Sequence, residues 1–148
     1  MQSAIQLFAL PLAPWERGGV KAALIRAGLP ADDVETPEVL VWRFERNDVP
    51  AGFGGLEVHG EVALLRSLVT LPPVRNRGIG AAMVEVIEVE AVARKVQALY
   101  LLTTDCVRFF TRLGYAPCQR DEIPAAIRAT AQFASLCPAT AVAMCKQL

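Results

Sequence analysis

The residues best placed to do chemistry lie between positions 66 and 80. An apolar run at 62–71 carries Arg66 and Ser67 inside it, and Pro72 and Pro73 end it. Arg75, Asn76, Arg77, Gly78, Ile79 and Gly80 then lead into a helix-like stretch at 81–94. Proline gives no donor to a strand ladder, so the run stops there. Glycine permits a tight turn that leaves backbone N–H groups uncovered. The first N–H groups of the following helix have no internal partners, and its dipole favours an anion. Strand, Arg-x-x-Gly-x-Gly, helix is therefore a phosphate-binding arrangement. Arg75 and Arg77 can add charged hydrogen bonds.

The pattern is neither of the common nucleotide motifs. A Walker loop continues with Lys-Ser/Thr, whereas Gly80 is followed by Ala81 and Ala82. A dinucleotide fingerprint needs a third glycine and an acid closing the next strand. Position 83 is Met, and the next strand ends in Thr103 and Thr104. The expected anion site thus uses backbone and arginine without a metal. Cys106, Cys118, Cys137 and Cys145 match no compact zinc spacing, and His59 is the single histidine. No metal site is expected.

A second group surrounds the apolar run. Glu57, His59 and Glu61 cluster just before it and are candidate bases. Either carboxylate could take a proton through water, and imidazole has a suitable ordinary pKa. Arg66 can be read two ways: as the partner of Glu57 or Glu61, or as a clamp on a substrate carboxylate. Arg43, beside Trp42, belongs to an acceptor pocket or to the wet face of a strand.

These residues need a sheet to hold them. Strands are expected at 5–10, 39–45, 51–58, 62–71, 97–103, 115–120 and 140–146, separated by turn chemistry at Asn47-Asp48 and His59-Gly60. Helices are expected at 15–27, with Gly28 as stop, briefly after Pro30, at 81–94, from 106 to Leu113 with Thr104 or Asp105 as cap, and from Pro124 to about 133. Glycines 52, 54 and 55 suggest a bulge or a close neighbour. The order is α/β with a mixed sheet.

Composition bounds the class. The 148 residues suit one domain spanning 1–148. Fifteen Lys plus Arg balance fifteen Asp plus Glu, which argues against nucleic acid or an anionic membrane as main partner. A 53% hydrophobic content and a mean hydropathy of +0.35 allow a homodimer with an apolar interface. No apolar run has membrane-spanning length, and the start of the chain does not read as a signal peptide. A cytoplasmic protein with reduced thiols is the expectation.

Two motifs together give a resemblance. Leu68-Val69-Thr70-Leu71-Pro72 with Arg75-Asn76-Arg77-Gly78-Ile79-Gly80, and then Phe110-Thr111-Arg112-Leu113-Gly114-Tyr115, resemble the signatures of the GCN5-related N-acetyltransferase superfamily. Ala63-Leu64-Leu65-Arg66-Ser67-Leu68, Leu101-Leu102-Thr103-Thr104 and Ser135-Leu136-Cys137-Pro138-Ala139 are similar to the small acetyltransferases of arsenic-resistance operons. Relatives of that group acetylate amino-acid-like amines such as arsinothricin and phosphinothricin.

The resemblance implies a mostly antiparallel sheet flanked by helices and splayed at an acyl-CoA site, with acetyl-CoA as co-substrate and a small-molecule amine as acceptor. It places the pantetheine arm along Leu68, Val69 and Thr70, the pyrophosphate on the 75–81 loop, and Phe110 beside the coenzyme. It implies direct attack by a neutral amine. Phe110 stands where a tyrosine acid is common, and Leu64 where an acidic residue is common. Cys106, one helical turn from Phe110, is a core cysteine or a substitute acid, and Tyr115 a packing residue. Cys137 packs or meets an arsenical. The same motifs also suit a transferase for polyamines, aminoglycosides or protein N-termini, or a catalytically weak acyl-CoA-binding protein.

Overall fold

A computed structural model describes residues 5–72, 78–136 and 140–148, with Ser135 and Leu136 described by backbone alone. Seven strands form one sheet in the order β1-β2-β3-β4-β5-β7-β6. They are β1 Phe8–Pro11, β2 Val39–Arg46, β3 Val49–His59, β4 Val62–Thr70, β5 Ala98–Thr103, β6 Ala116–Pro117 and β7 Val142–Gln147. Every pairing is antiparallel except β4 with β5. The helices are α1 Gly18–Arg26, α2 Ile79–Ala93, α3 Val107–Arg112 and α4 Ala125–Arg128. This is the mixed, mostly antiparallel α/β sheet with flanking helices expected from the sequence.

The β2–β3 hairpin turns on Asn47 and Asp48, at φ 52° and 63°. Both central residues of a type I′ turn need positive φ, and Asn and Asp tolerate it best after glycine. The glycines of β3 serve both expected purposes. Pairing with β4 shifts register between Phe53 and Gly55. A Cβ on Gly52 would lie 2.5 Å from the Val69 carbonyl oxygen and 2.6 Å from the Met83 sulfur. Only a residue without Cβ lets α2 pack this close to the sheet.

The two faces bury different clusters. Trp42, Phe44, Leu65, Leu99 and Leu101 meet Met83, Val84 and Ile87 of α2. Val39, Val41, Phe53 and Val69 meet Val20 and Leu24 of α1 on the opposite face. Leu64 and Ala143 continue that second face under Ile123 and under Ile127 of α4.

Several expected elements differ. The first helix starts at Gly18, after a separate 3-10 turn at Pro14–Glu16. No helix forms after Pro30. Instead Arg17, 3% exposed, donates to the carbonyls of Leu12, Val34 and Thr36, and so holds residues 30–38 as a turn that buries Ala31 and Val34. β6 is only two residues long, and the segment after Pro124 divides into α4 and one π turn at Gln132–Leu136. Among the described residues no helix is long and apolar enough to cross a membrane.

Candidate active site

The site begins where the sheet divides. β4 pairs with β5 only at Val62–Ala98, Ala63–Leu99 and Leu64–Tyr100, although both strands continue. Past that point β4 stays with β3 as far as Gly52–Thr70, and β5 stays with β7 as far as Thr103–Val142. The side of β4 that faced β5 therefore loses its partner strand after Leu64. Ser67, at φ 58°, adds a residue there. A bulge shifts the in–out alternation by one. Leu65 faces α2 and Arg66 faces away, yet Leu68 then packs with the α2 cluster and Val69 with the α1 cluster.

A cleft of about 840 Å³ fills the division. On the α2 side it is lined by Cys106, Phe109 and Phe110, and on the α1 side by Arg26, Leu29 and Pro30. Leu68, Val69 and Thr70 form its β4 wall. The volume falls in the range of small-ligand and cofactor sites.

Helix α2 starts on Gly78 at φ 75°. A side chain there would be strained in this left-handed conformation. The first turn of α2 does not line the cleft but meets two of its lining residues, Thr70 and Phe109, at the Gly80 position. Ile79, Gly80 and Ala81 form the first helical turn, which has no side-chain cap and no acidic residue. Its N–H groups are thus left for an anion. Gly80 is helical and does not shape the turn. It leaves room for Phe109, whose Cζ would lie 3.1 Å from a Cβ at this position. Arg75, Asn76 and Arg77 lie outside the described residues, as does Cys137.

Arg66 is enclosed, with no exposed side-chain surface. It donates to both oxygens of Asp33, to Glu57 Oε1 at 3.1 Å and to Ser67 Oγ at 3.2 Å. Burial lowers its pKa and is the largest single influence, but its bonds to Asp33 and Glu57 outweigh it and raise the pKa overall. The expected pairing with Glu57 is present. The carboxylate clamp is corrected, because the guanidinium already binds two of the chain's own carboxylates. Sequence reading missed Asp33, which lies thirty-three positions away with no local signal.

None of the three candidate bases lines the cleft. Glu57 holds Arg66 with one oxygen and His59 Nε2, at 2.9 Å, with the other. Glu57 and His59 border a separate hollow of about 510 Å³ beneath α4. Glu61 is exposed at the closed end of the β4–β5 pair, where its carbonyl accepts from Gln97 N–H. At the rise of a strand it is on the order of 20 Å from Ser67. Arg43 pairs with Glu45 at 3.0 Å, 40% exposed, and does not line the cleft. The wet-face reading fits it.

The acid candidates also separate. Phe110 is buried against Phe109 and Tyr115, and forms cleft wall. The Tyr115 hydroxyl donates to Glu88 Oε2 at 2.9 Å, away from the cleft. Burial, then the Glu88 charge, push its pKa well up, so it is a packing and anchoring residue. Cys106 is not a core cysteine. It is exposed at the cleft, and its thiol donates to Asp105 at 3.4 Å. Packing around the sulfur and the adjacent carboxylate push this thiol up, so it keeps its proton. Among the described residues, no group of three or more His, Cys, Asp or Glu side chains is placed to hold a metal ion.

Residues 4–115 match the model of the acetyltransferase (GNAT) family. The chain belongs to this family. The divided sheet lies within the matched residues. No curated protein sequence matches the chain. Similar solved structures include N-acetylglutamate synthase from Neisseria gonorrhoeae, complexed with coenzyme A and N-acetyl-glutamate. It has 16% identity and a TM-score of 0.78, over 99% of this chain and 36% of that one. The chain thus spans about a third of that synthase. Rv2747 from Mycobacterium tuberculosis, in complex with CoA, has 18% identity and a TM-score of 0.75 over 97% and 99% of the two chains. Tetrahymena GCN5 has 11% identity and a TM-score of 0.73 over 95% of each. At these identities the likeness is one of fold.

Proposed function

We propose that the protein moves the acetyl group of acetyl-CoA to the primary amine of a small, amino-acid-like acceptor. The cleft carries this reading, because it opens on both faces of the sheet. Coenzyme enters from the α2 side and acceptor from the α1 side. The pyrophosphate rests on N–H groups from Gly78 to Ala81, helped by Arg75, Asn76 and Arg77. The pantetheine arm takes the place of the missing strand along Leu68, Val69 and Thr70, with Phe110 against it. Backbone N–H groups there polarise the thioester carbonyl.

The amine lone pair attacks the carbonyl carbon, the C–S bond breaks, and coenzyme A leaves as thiolate. Glu57 is engaged by Arg66 and His59, and neither His59 nor Glu61 reaches the cleft. The amine therefore gives its proton to water and reacts as free base. Phe110 has no proton to donate, so the thiolate takes its proton from solvent or from the Cys106 thiol at the cleft.

The similarity to arsenic-resistance acetyltransferases makes arsinothricin, phosphinothricin and glutamate-like amines the first acceptors to examine. The N-acetyl-glutamate held by the Neisseria synthase supports the same class. We also assign the protein to the cytoplasm, the default for a chain whose cysteines match no disulfide framework.

Free-thiol release from acetyl-CoA, with glutamate, phosphinothricin, spermidine, an aminoglycoside and a short peptide as acceptors, tests the reading. Preference for the glutamate-like amines is expected. Turnover confined to spermidine, the aminoglycoside or the peptide would replace the acceptor class. Coenzyme binding without any turnover would favour the acyl-CoA-binding alternative. The kcat/KM for a good acceptor should rise about tenfold per pH unit below the amine pKa. A plateau beginning near pH 5–7 would instead reveal a base on the enzyme.

A further inference from the structure

We propose that Arg26 binds the anionic group of the acceptor and selects amines that carry one. This rests on the acceptor reading above and names the residue that enforces it. Four observations carry it. First, Arg26 ends α1 and lines the cleft from the α1 face, opposite the start of α2 and the Phe109–Phe110 wall. The first-turn N–H groups of α2 that suit a pyrophosphate are thus on the other side of the sheet. Second, the other described arginine of the lining, Arg66, is enclosed and engaged by Asp33, Glu57 and Ser67. Third, Arg26 is exposed and its side chain has no hydrogen bond or ion pair among the described residues.

Fourth, α1 does not need Arg26 as a cap. The carbonyls of Ala23, Leu24 and Ile25 already accept from the N–H groups of Ala27, Gly28 and Leu29. Gly28, at φ 72°, turns the chain so that Leu29 and Pro30 continue the cleft wall beside Arg26. Asp105 is the acidic residue of the described lining, and it sits across the cleft against Cys106. An amine with a carboxylate or phosphinate can thus place its anion on the guanidinium fork while its nitrogen faces the thioester. Arginine matches such a group with two parallel hydrogen bonds.

The test compares wild type, Arg26→Ala and Arg26→Lys on glutamate and on its dimethyl ester, with coenzyme A affinity measured by calorimetry. Arg26→Ala should raise KM for glutamate about 10- to 100-fold with little change in kcat, the loss expected for a charged hydrogen-bond pair. Arg26→Lys should recover part of it. The ester KM and the coenzyme A affinity should not move. Equal losses on acid and ester, no loss at all, or a matching fall in coenzyme A affinity would each overturn the assignment while leaving the acceptor class intact. A wild type that binds coenzyme A and acetylates spermidine but not glutamate overturns the acceptor class, and Arg26's role with it.

Discussion

Two charged clusters fasten this sheet, one on each face, and they differ in depth and in neighbourhood. On the α1 face Arg66 ties β4 to Asp33 of the turn after α1 and to Glu57 of β3. On the α2 face Glu88 of α2 receives Lys146 Nζ of β7 at 3.0 Å and the Tyr115 hydroxyl at 2.9 Å. Lys146 also donates to the Leu113 carbonyl, which pins the end of α3. The first cluster adjoins the cleft, through the Arg66 contact to Ser67 at the bulge. The second lies behind the Phe110 wall and touches no cleft residue except through packing. Both are satisfied: among the described residues no buried side-chain nitrogen or oxygen lacks a partner. The contrast separates what shapes the site from what only holds its supports.

Depth sets the cost of breaking each. The Arg66 side chain has no exposure, against 27% for Lys146. Arg66→Ala leaves two carboxylates facing each other with no cation, and should cost about 3–5 kcal/mol. Arg66→Lys keeps the charge but loses the fork, and should cost less. Urea unfolding at constant slope measures both. A loss under about 1 kcal/mol for Arg66→Ala would show that water reaches Asp33 and Glu57 when the arginine goes. Glu88→Ala comes next, at about 1–3 kcal/mol, because it strands a phenol and an ammonium. Lys146 can turn to solvent, which places the expectation in the lower part of that range. Coenzyme A affinity should survive Glu88→Ala, because Glu88 does not meet the cleft. A parallel loss of affinity would erase the distinction between the two clusters.

The same contrast explains what the sequence could reveal. Local signals were readable. Gly28 stops α1, Asn47-Asp48 turns the hairpin, and the β3 glycines admit α2. The anion cradle was readable because strand, glycine turn and helix are contiguous. Partners distant in sequence were not. Nothing near Asp33 says that it will meet Arg66, and a helix after Pro30 was a fair local reading. The Arg17 bonds to the Leu12, Val34 and Thr36 carbonyls override it. Ser67 carries no mark of its positive φ, so the shift that sends Leu68 and Val69 to opposite faces was hidden. The site residues divide likewise. Leu68, Val69, Thr70 and Phe110 line the cleft, whereas Glu57, His59 and Glu61 only neighbour it along the chain. Arg26 was missed because it reads as an ordinary basic residue in the last turn of a helix.

The smallest expected effect isolates one bond of the α2-face cluster. Tyr115→Phe removes the hydroxyl that Glu88 accepts and keeps the buried ring, so it should cost about 1 kcal/mol near neutral pH. Its sharper signature is alkaline. Burial and the Glu88 charge hold the folded phenol above its ordinary pKa, so the fold keeps a proton that the unfolded chain gives up. That stability is complete below about pH 10, the ordinary tyrosine value, and is lost as pH rises beyond it. Wild type should therefore lose stability faster than Tyr115→Phe as urea unfolding is taken from about pH 9 to 11. Glu88 and Lys146 are common to both proteins, so the difference reports the phenol alone. Parallel pH curves would mean that Tyr115 ionises in the folded state as readily as in the unfolded chain. The α2-face cluster would then be an open surface pair, and the Arg66 cluster the one buried ionic tie among the described residues.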